Sequence, residues 1–115
     1  DLPTWLLNDN QKALTAFNKK DYQQAAKQFN DPNWKASSLF KQGNFEDAEA
    51  IWNNLDDATS AYNAGNAAAK FEKLPEAVAH YKKALQKQPD FQDAKDNLET
   101  IEDFLKQQKE QEKKD

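Results

Sequence analysis

Apolar positions along the chain recur at three- and four-residue spacing in short runs, which predicts a series of amphipathic helices. Small polar residues open these runs. Asn8 with Gln11, Asp21 with Gln24, Asn44 with Asp47 and Asp90 with Asp93 each have the spacing of an N-cap and a residue three positions on that closes it. Asp31-Pro32 places a cap before a proline suited to the first helical position, while Asp56-Asp57 and Pro75 mark two more starts. The pattern predicts seven helices, near 9–19, 22–30, 32–42, 45–54, 57–71, 75–87 and 91–108. Connections this short make consecutive helices antiparallel neighbours. The last helix carries Ala94, Leu98, Ile101 and Leu105 in one stripe opposite Asp93, Asp96, Glu99 and Asp103, the pattern of a solvating cap. From Lys106 to Asp115 there is no apolar residue to bury, so the chain divides into a helical domain, 1–105, and a charged tail, 106–115, expected to fray.

A register recurs within these helices. Ala13 precedes Ala25 by twelve residues, Ala36 precedes Ala48 by twelve, and Gly65 precedes Ala77 by twelve. An aromatic follows four residues after each second alanine, as Phe29, Trp52 and Tyr81. Two antiparallel helices approach closely only where one presents Gly or Ala, and the aromatic then fills the gap to the next pair. Gly65 is accordingly expected to face Ala77. The turn between paired helices repeats as Lys20-Asp21-Tyr22, Gly43-Asn44-Phe45 and Lys73-Leu74-Pro75.

The third copy, with Ala61, Ala64-Gly65, Ala68, Ala77, Tyr81, Ala84 and Pro89, closely resembles the tetratricopeptide repeat family. The resemblance implies an all-α fold of antiparallel helix-turn-helix repeats: a right-handed solenoid of about three repeats plus a C-terminal capping helix. The copies are shorter than the family's usual repeat of about 34 residues, with steps of 23 residues from Ala25 to Ala48 and 29 from Ala48 to Ala77. Such trimmed junctions, Phe29 to Lys35 and Leu55-Asp56-Asp57-Ala58 leading to Tyr62-Asn63-Ala64-Gly65-Asn66, are similar to the repeat segment attached to von Willebrand factor A domains in Bat-type membrane proteins of bacterial aerotolerance operons. That likeness extends from Trp5 to Leu105. It implies a soluble domain of an inner-membrane-anchored bacterial protein, with the side of the membrane open.

Composition narrows the chemistry. The chain has 115 residues, enough for one ordinary domain, and two glycines, no cysteine and one histidine. Helix-forming residues dominate and β-branched ones are few, which disfavours a sheet. A net charge of −4 spread along every segment gives no basic stripe for phosphate, so no nucleic-acid partner is expected. No apolar run approaches the length that spans a bilayer, so no direct membrane insertion is expected either. Trp5-Leu6-Leu7 reads as a hydrophobic lid on the first helix pair or, alternatively, as an interfacial anchor. His80 lacks a second imidazole or a thiolate to complete a metal set and reads as a partly exposed surface residue. With no Gly-rich loop, nucleophile elbow or metalloprotease motif, the sequence implies no enzyme, cofactor or metal.

The resemblance implies a groove lined by the first helix of each pair, at Asn33, Ser37, Phe40 and Lys41 from the second pair and Tyr62, Asn66, Ala69 and Lys70 from the third. Amide and ammonium donors at helical spacing suit a peptide backbone or carboxylate. Chaperone-tail clamps of the family need paired basic and Asn side chains on three such helices, and Asn33 with Ser37, Tyr62 with Asn66 and Asp96 with Thr100 lack the third basic pair. The expected function is therefore a protein-interaction scaffold holding a protein or peptide partner, as monomer or weak homo-oligomer. The competing expectation is a structural spacer or self-association unit, exposing Trp34 or Trp5-Leu6-Leu7 to a second copy. The aromatics Trp34, Trp52, Phe29, Phe45, Tyr62 and Phe71 read mostly as core.

Overall fold

The computed structural model describes residues 8–115. Seven helices follow in order: α1 (Asp9–Asn18), α2 (Tyr22–Gln28), α3 (Pro32–Gln42), α4 (Phe45–Asn53), α5 (Ala58–Lys70), α6 (Leu74–Lys87) and α7 (Gln92–Lys114). The Trp5-Leu6-Leu7 cluster, whether lid or anchor, lies outside the described residues.

Local chemistry sets most helix starts. Asn8 and Gln11 form a reciprocal capping box, with Gln11 N–H donating to Asn8 Oδ1 at 2.8 Å and Asn8 N–H to Gln11 Oε1 at 2.9 Å. Asp21, Asp31 and Asp57 accept from the backbone N–H of Gln24, Trp34 and Ser60. Two expected caps differ. Asn44 stands at the N-cap of α4, but its side-chain amide donates to the Asp47 carboxylate at 2.8 Å instead of capping the backbone. The N-cap of α7 is Phe91, one residue after Asp90, and Phe91 buries its ring against Tyr62.

The turn inside each pair is the same structure three times. Lys20, Gly43 and Glu72 all adopt left-handed φ values, of 64°, 92° and 67°. Each donates its N–H to the carbonyl three back, and the next residue donates to the carbonyl five back: Asp21 to Ala16, Asn44 to Leu39 and Lys73 to Ala68, all at 2.8 Å. This is the Schellman termination, which glycine adopts without strain and other residues adopt at a cost. The third turn is therefore Glu72-Lys73-Leu74, one residue earlier than the Lys73-Leu74-Pro75 that the proline suggests.

Packing follows the repeat register. Ala13, Ala25, Ala36, Ala48 and Ala77 are fully buried, and Phe29, Trp52 and Tyr81 are nearly so. The nearest neighbour of Gly65 is the Tyr81 ring, since a Cβ on Gly65 would lie 2.6 Å from Cε1 of Tyr81. The glycine makes room for the ring. Trp52 reaches past its own pair to Ala64 and Ala67 of α5, and Phe29 stacks on Trp34 of α3 at 5.3 Å, so these aromatics do bridge successive pairs. Trp34 itself is 45% exposed, a lid on the stack more than a core residue. The principal packing runs between consecutive helices, and the molecule measures 62 × 32 × 20 Å, as an open stack of pairs should.

The seventh helix completes the pattern. Stepping 34 residues from α5 carries the buried Ser60, Ala64 and Ala67 onto Ala94, Leu98 and Ile101, which pack on α5 and α6. The same step carries Ala61, Gly65 and Ala68, which meet α6, onto Lys95, Glu99 and Glu102, all exposed. Thus α7 is the first helix of a fourth copy whose partner-facing side has been made charged. It runs on through Lys114, beyond the expected end near 108 and into the segment 106–115, whose residues are all exposed.

Candidate functional site

Three recesses that share walls run along the face presented by α3, α5 and α7. The first, of about 180 Å³, lies between Ser37, Phe40 and Lys41 on one side and Asn63 and Asn66 on the other, with Trp52 beneath. Phe40 and Asn66 also wall the second, of about 420 Å³, which continues past Ala69 and Lys70 to Asn97, Thr100 and Ile101. Ala69, Thr100 and Ile101 in turn wall the third, of about 610 Å³, which opens between the start of α6 at Leu74 and Pro75 and the Phe104, Leu105 and Gln108 stretch of α7. The groove is therefore continuous from α3 to the end of the fold.

The repeat register explains its lining. Ser37, Asn66 and Thr100 occupy one equivalent position on α3, α5 and α7, at steps of 29 and 34 residues, and Lys41, Lys70 and Phe104 occupy another. Of the eight residues expected in the groove, the structure brings six together: Ser37, Phe40, Lys41, Asn66, Ala69 and Lys70. Asn33 does not line these recesses. Its Oδ1 accepts a 2.7 Å hydrogen bond from the indole Nε1 of Trp52, so it serves to orient a core ring. Tyr62 does not line these recesses either: its ring lies against Tyr81 at 5.9 Å and Phe91 at 4.9 Å, and only its hydroxyl reaches the network beneath them.

The floor of the groove is a polar network. Tyr81 donates its hydroxyl to Asn66 Oδ1 at 2.6 Å, and Asn97 Nδ2 donates to the same oxygen at 3.1 Å and to the Tyr62 hydroxyl at 3.4 Å. Burial pushes the Tyr81 hydroxyl up to about 12, against a smaller opposing effect of its Asn97 neighbour, so it remains a proton donor at neutral pH. Asn66 thus spends its oxygen inside the protein, and its amide nitrogen makes no hydrogen bond among the described residues. Asn97 is a groove residue that the family resemblance does not point to. The available signal was an amide at the third position after Ala94 and the fourth before Ile101, on the stripe that otherwise buries apolar side chains.

The charge of the groove is opposite to that of the chain. The chain carries 20 acidic and 16 basic residues, yet the first two recesses have Lys41 and Lys70 and no carboxylate on their walls. Neither lysine is among the ion pairs of the described residues, which join Lys82 to Glu102 and Lys87 to Asp56, and His80 makes a hydrogen bond with Glu49. The His80 contact is 2.8 Å from Nε2 to Glu49 Oε2 and mostly buried, which ties α6 to α4 across successive pairs. His80 is thus a bridge between pairs and less exposed than its sequence position suggests.

No protein-family model matches the chain, and a search of curated proteins finds no match. Among solved structures, the chain is similar to the first tetratricopeptide repeat domain of Spaghetti (RPAP3), bound there to the HSP90 peptide SRMEEVD. The two share 23% sequence identity and a TM-score of 0.73 over 84% of this chain and 90% of that one. Together with the three repeated turns and the register of small and aromatic residues, this shows that the chain has the all-helical repeat fold of a tetratricopeptide domain.

Proposed function

We propose that the protein is an interaction scaffold that holds a segment of a partner protein in the groove of α3, α5 and α7, and that it performs no catalysis. The observation that carries this reading is the continuity of the three recesses along one face, built from equivalent positions of successive copies. The similar Spaghetti domain, bound to a peptide, supports it as a precedent for the fold. The trimmed repeats support a finer setting, a bacterial inner-membrane-anchored parent of the Bat type. Among the described residues no helix is long and apolar enough to cross a membrane, so in that setting an anchor would lie in another segment of the parent.

A photo-crosslinking residue placed at Thr100, on the groove wall, or at Ala50, exposed on α4, tests the reading in the native cell. Adducts from position 100 and none from position 50 are expected. Adducts only from position 50 would move the interaction off the groove. A second reading, self-association, draws on the half-exposed Trp34 over Phe17 and Phe29. Sedimentation equilibrium separates the two, since loss of a dimer in Trp34→Ser would assign that stack to self-association.

A further inference from the structure

The groove changes character along its length, and that change describes its occupant. At the α3 end its walls are amides, hydroxyls and the two ammonium groups of Lys41 and Lys70. At the α7 end they are mainly Leu74, Pro75, Ile101, Phe104 and Leu105, with Glu72, Thr100 and Gln108 at the edges and no lysine. The change is concentrated in one equivalent position, which holds Lys41 on α3, Lys70 on α5 and Phe104 on α7. Phe104 is 48% exposed, among the few large apolar side chains left so open. On the opposite side of α7 the positions that would meet a following helix are charged, so the apolar face is retained where the groove is and removed where a further repeat would stack. A solvated cap has no need of an open phenylalanine beside a recess of this size.

We propose that the occupant is an internal segment of a partner protein with acidic residues at one end and a bulky apolar side chain at the other. The carboxylates lie against Lys70 and Lys41, and the apolar side chain enters the recess between Pro75 and Phe104. This rests on the groove being the binding surface. Charge complementarity selects the sign, because among the described residues of an acidic chain the two lysines have no carboxylate partner, and binding leaves them paired. Between the two ends the amide nitrogen of Asn66 donates to the segment's backbone and Thr100 Oγ1, whose own proton goes to the Asp96 carbonyl, accepts from it. No free C-terminal carboxylate is required. The positions that would pair basic side chains with Asn across three helices are held by Asn33, engaged with Trp52, and by Tyr62, packed on Phe91.

Random dodecapeptides displayed on phage through their C-termini, and so without a free carboxyl terminus, test this against the full chain. The expected result is enrichment of sequences with Asp or Glu to one side of a Trp, Phe, Leu or Ile. An amidated synthetic peptide of an enriched sequence should lose about tenfold or more in affinity for Lys41→Ala with Lys70→Ala, and separately for Phe104→Ser. The lysine variant should also flatten the fall of affinity with salt, while Phe104→Ser should leave it unchanged. These side chains are exposed, so circular dichroism of the variants should match the parent. Enriched peptides that bind in the groove, displaced by a bulky Thr100→Trp, but carry no acidic and apolar pattern or ignore the lysine and Phe104 changes would overturn the inference and leave the scaffold reading intact. Enrichment of peptides insensitive to Thr100→Trp, or no enrichment, would overturn both.

Discussion

The first and third helix pairs share one register of small residues but bury very different amounts of themselves. In α5, Ser60, Ala61, Ala64, Gly65, Ala67 and Ala68 are buried, whereas α1 buries only Ala13. Two things differ: α5 is packed by both α4 and α6 while α1 packs on α2, and the second helices of the two pairs differ in length. α6 runs for 14 residues and ends before Pro89, but α2 stops after 7, because Pro32 and its cap Asp31 begin the next helix at once. At 1.5 Å per residue the difference is about 10 Å of helix, roughly two turns of covering surface. The short pair compensates with aromatic rings: Phe17 lies edge-on to Tyr22, Phe29 and Trp34, and Trp34 stacks on Phe29 in partial contact with water. The third pair closes instead through a buried tyrosine whose hydroxyl donates to Asn66 Oδ1 of α5, an oxygen that also accepts from Asn97 of α7. Equivalent positions in a repeat can thus be satisfied by a specific polar lock at one end and by adaptable ring contacts at the other.

The largest effect should come from removing the lock. Tyr81→Ala empties a site 1% exposed and removes the hydroxyl that donates to Asn66 Oδ1, which should cost about 3–5 kcal/mol in urea unfolding. Trp34→Ala, in the open stack of the first copy, should cost only about 1–2 kcal/mol. Equal losses would erase the contrast between the pairs.

Alkali should act on the same lock. Because burial raises the Tyr81 hydroxyl from near 10 to about 12, its contribution is intact below pH 10 and is lost between pH 10 and 12, where the unfolded chain gives up the proton and the folded one retains it. About 2–3 kcal/mol should disappear over that interval and be spared in Tyr81→Phe, read as the pH dependence of the urea midpoint.

Gly65→Ala sharpens the point further. It adds helix propensity but drives a Cβ to 2.6 Å from a ring held by its hydroxyl, so a net loss of about 1–3 kcal/mol is expected; a gain would show that Tyr81 moves freely. The smallest effect concerns the turns, where the pairs are alike. Lys20→Gly and Glu72→Gly should each raise stability by about 0.5–1 kcal/mol, because both residues hold a left-handed backbone that Gly43 adopts without strain. Differential scanning calorimetry would show each as a rise in melting temperature.

What the sequence determined by itself was local or periodic. Helix starts at Asn8, Asp21, Asp31 and Asp57 follow from side chains bonding to backbone three residues away, and the twelve-residue register follows from where two antiparallel helices can touch. Both depend on short stretches of chain, so both were legible. Six of the eight positions that the family resemblance implied line the recesses, since a repeat that fixes which side packs also fixes which side is left open. What tertiary structure decided was how far-apart polar and aromatic groups spend their contacts. Asn33 turned to Trp52 and Asn66 to Tyr81 and Asn97, partners 19, 15 and 31 residues distant, and Gly65 came to lie against the Tyr81 ring. Spacing places such groups on a face but cannot say which neighbour will take their hydrogen bonds, because that choice is made only when the helices close and water leaves the space between them.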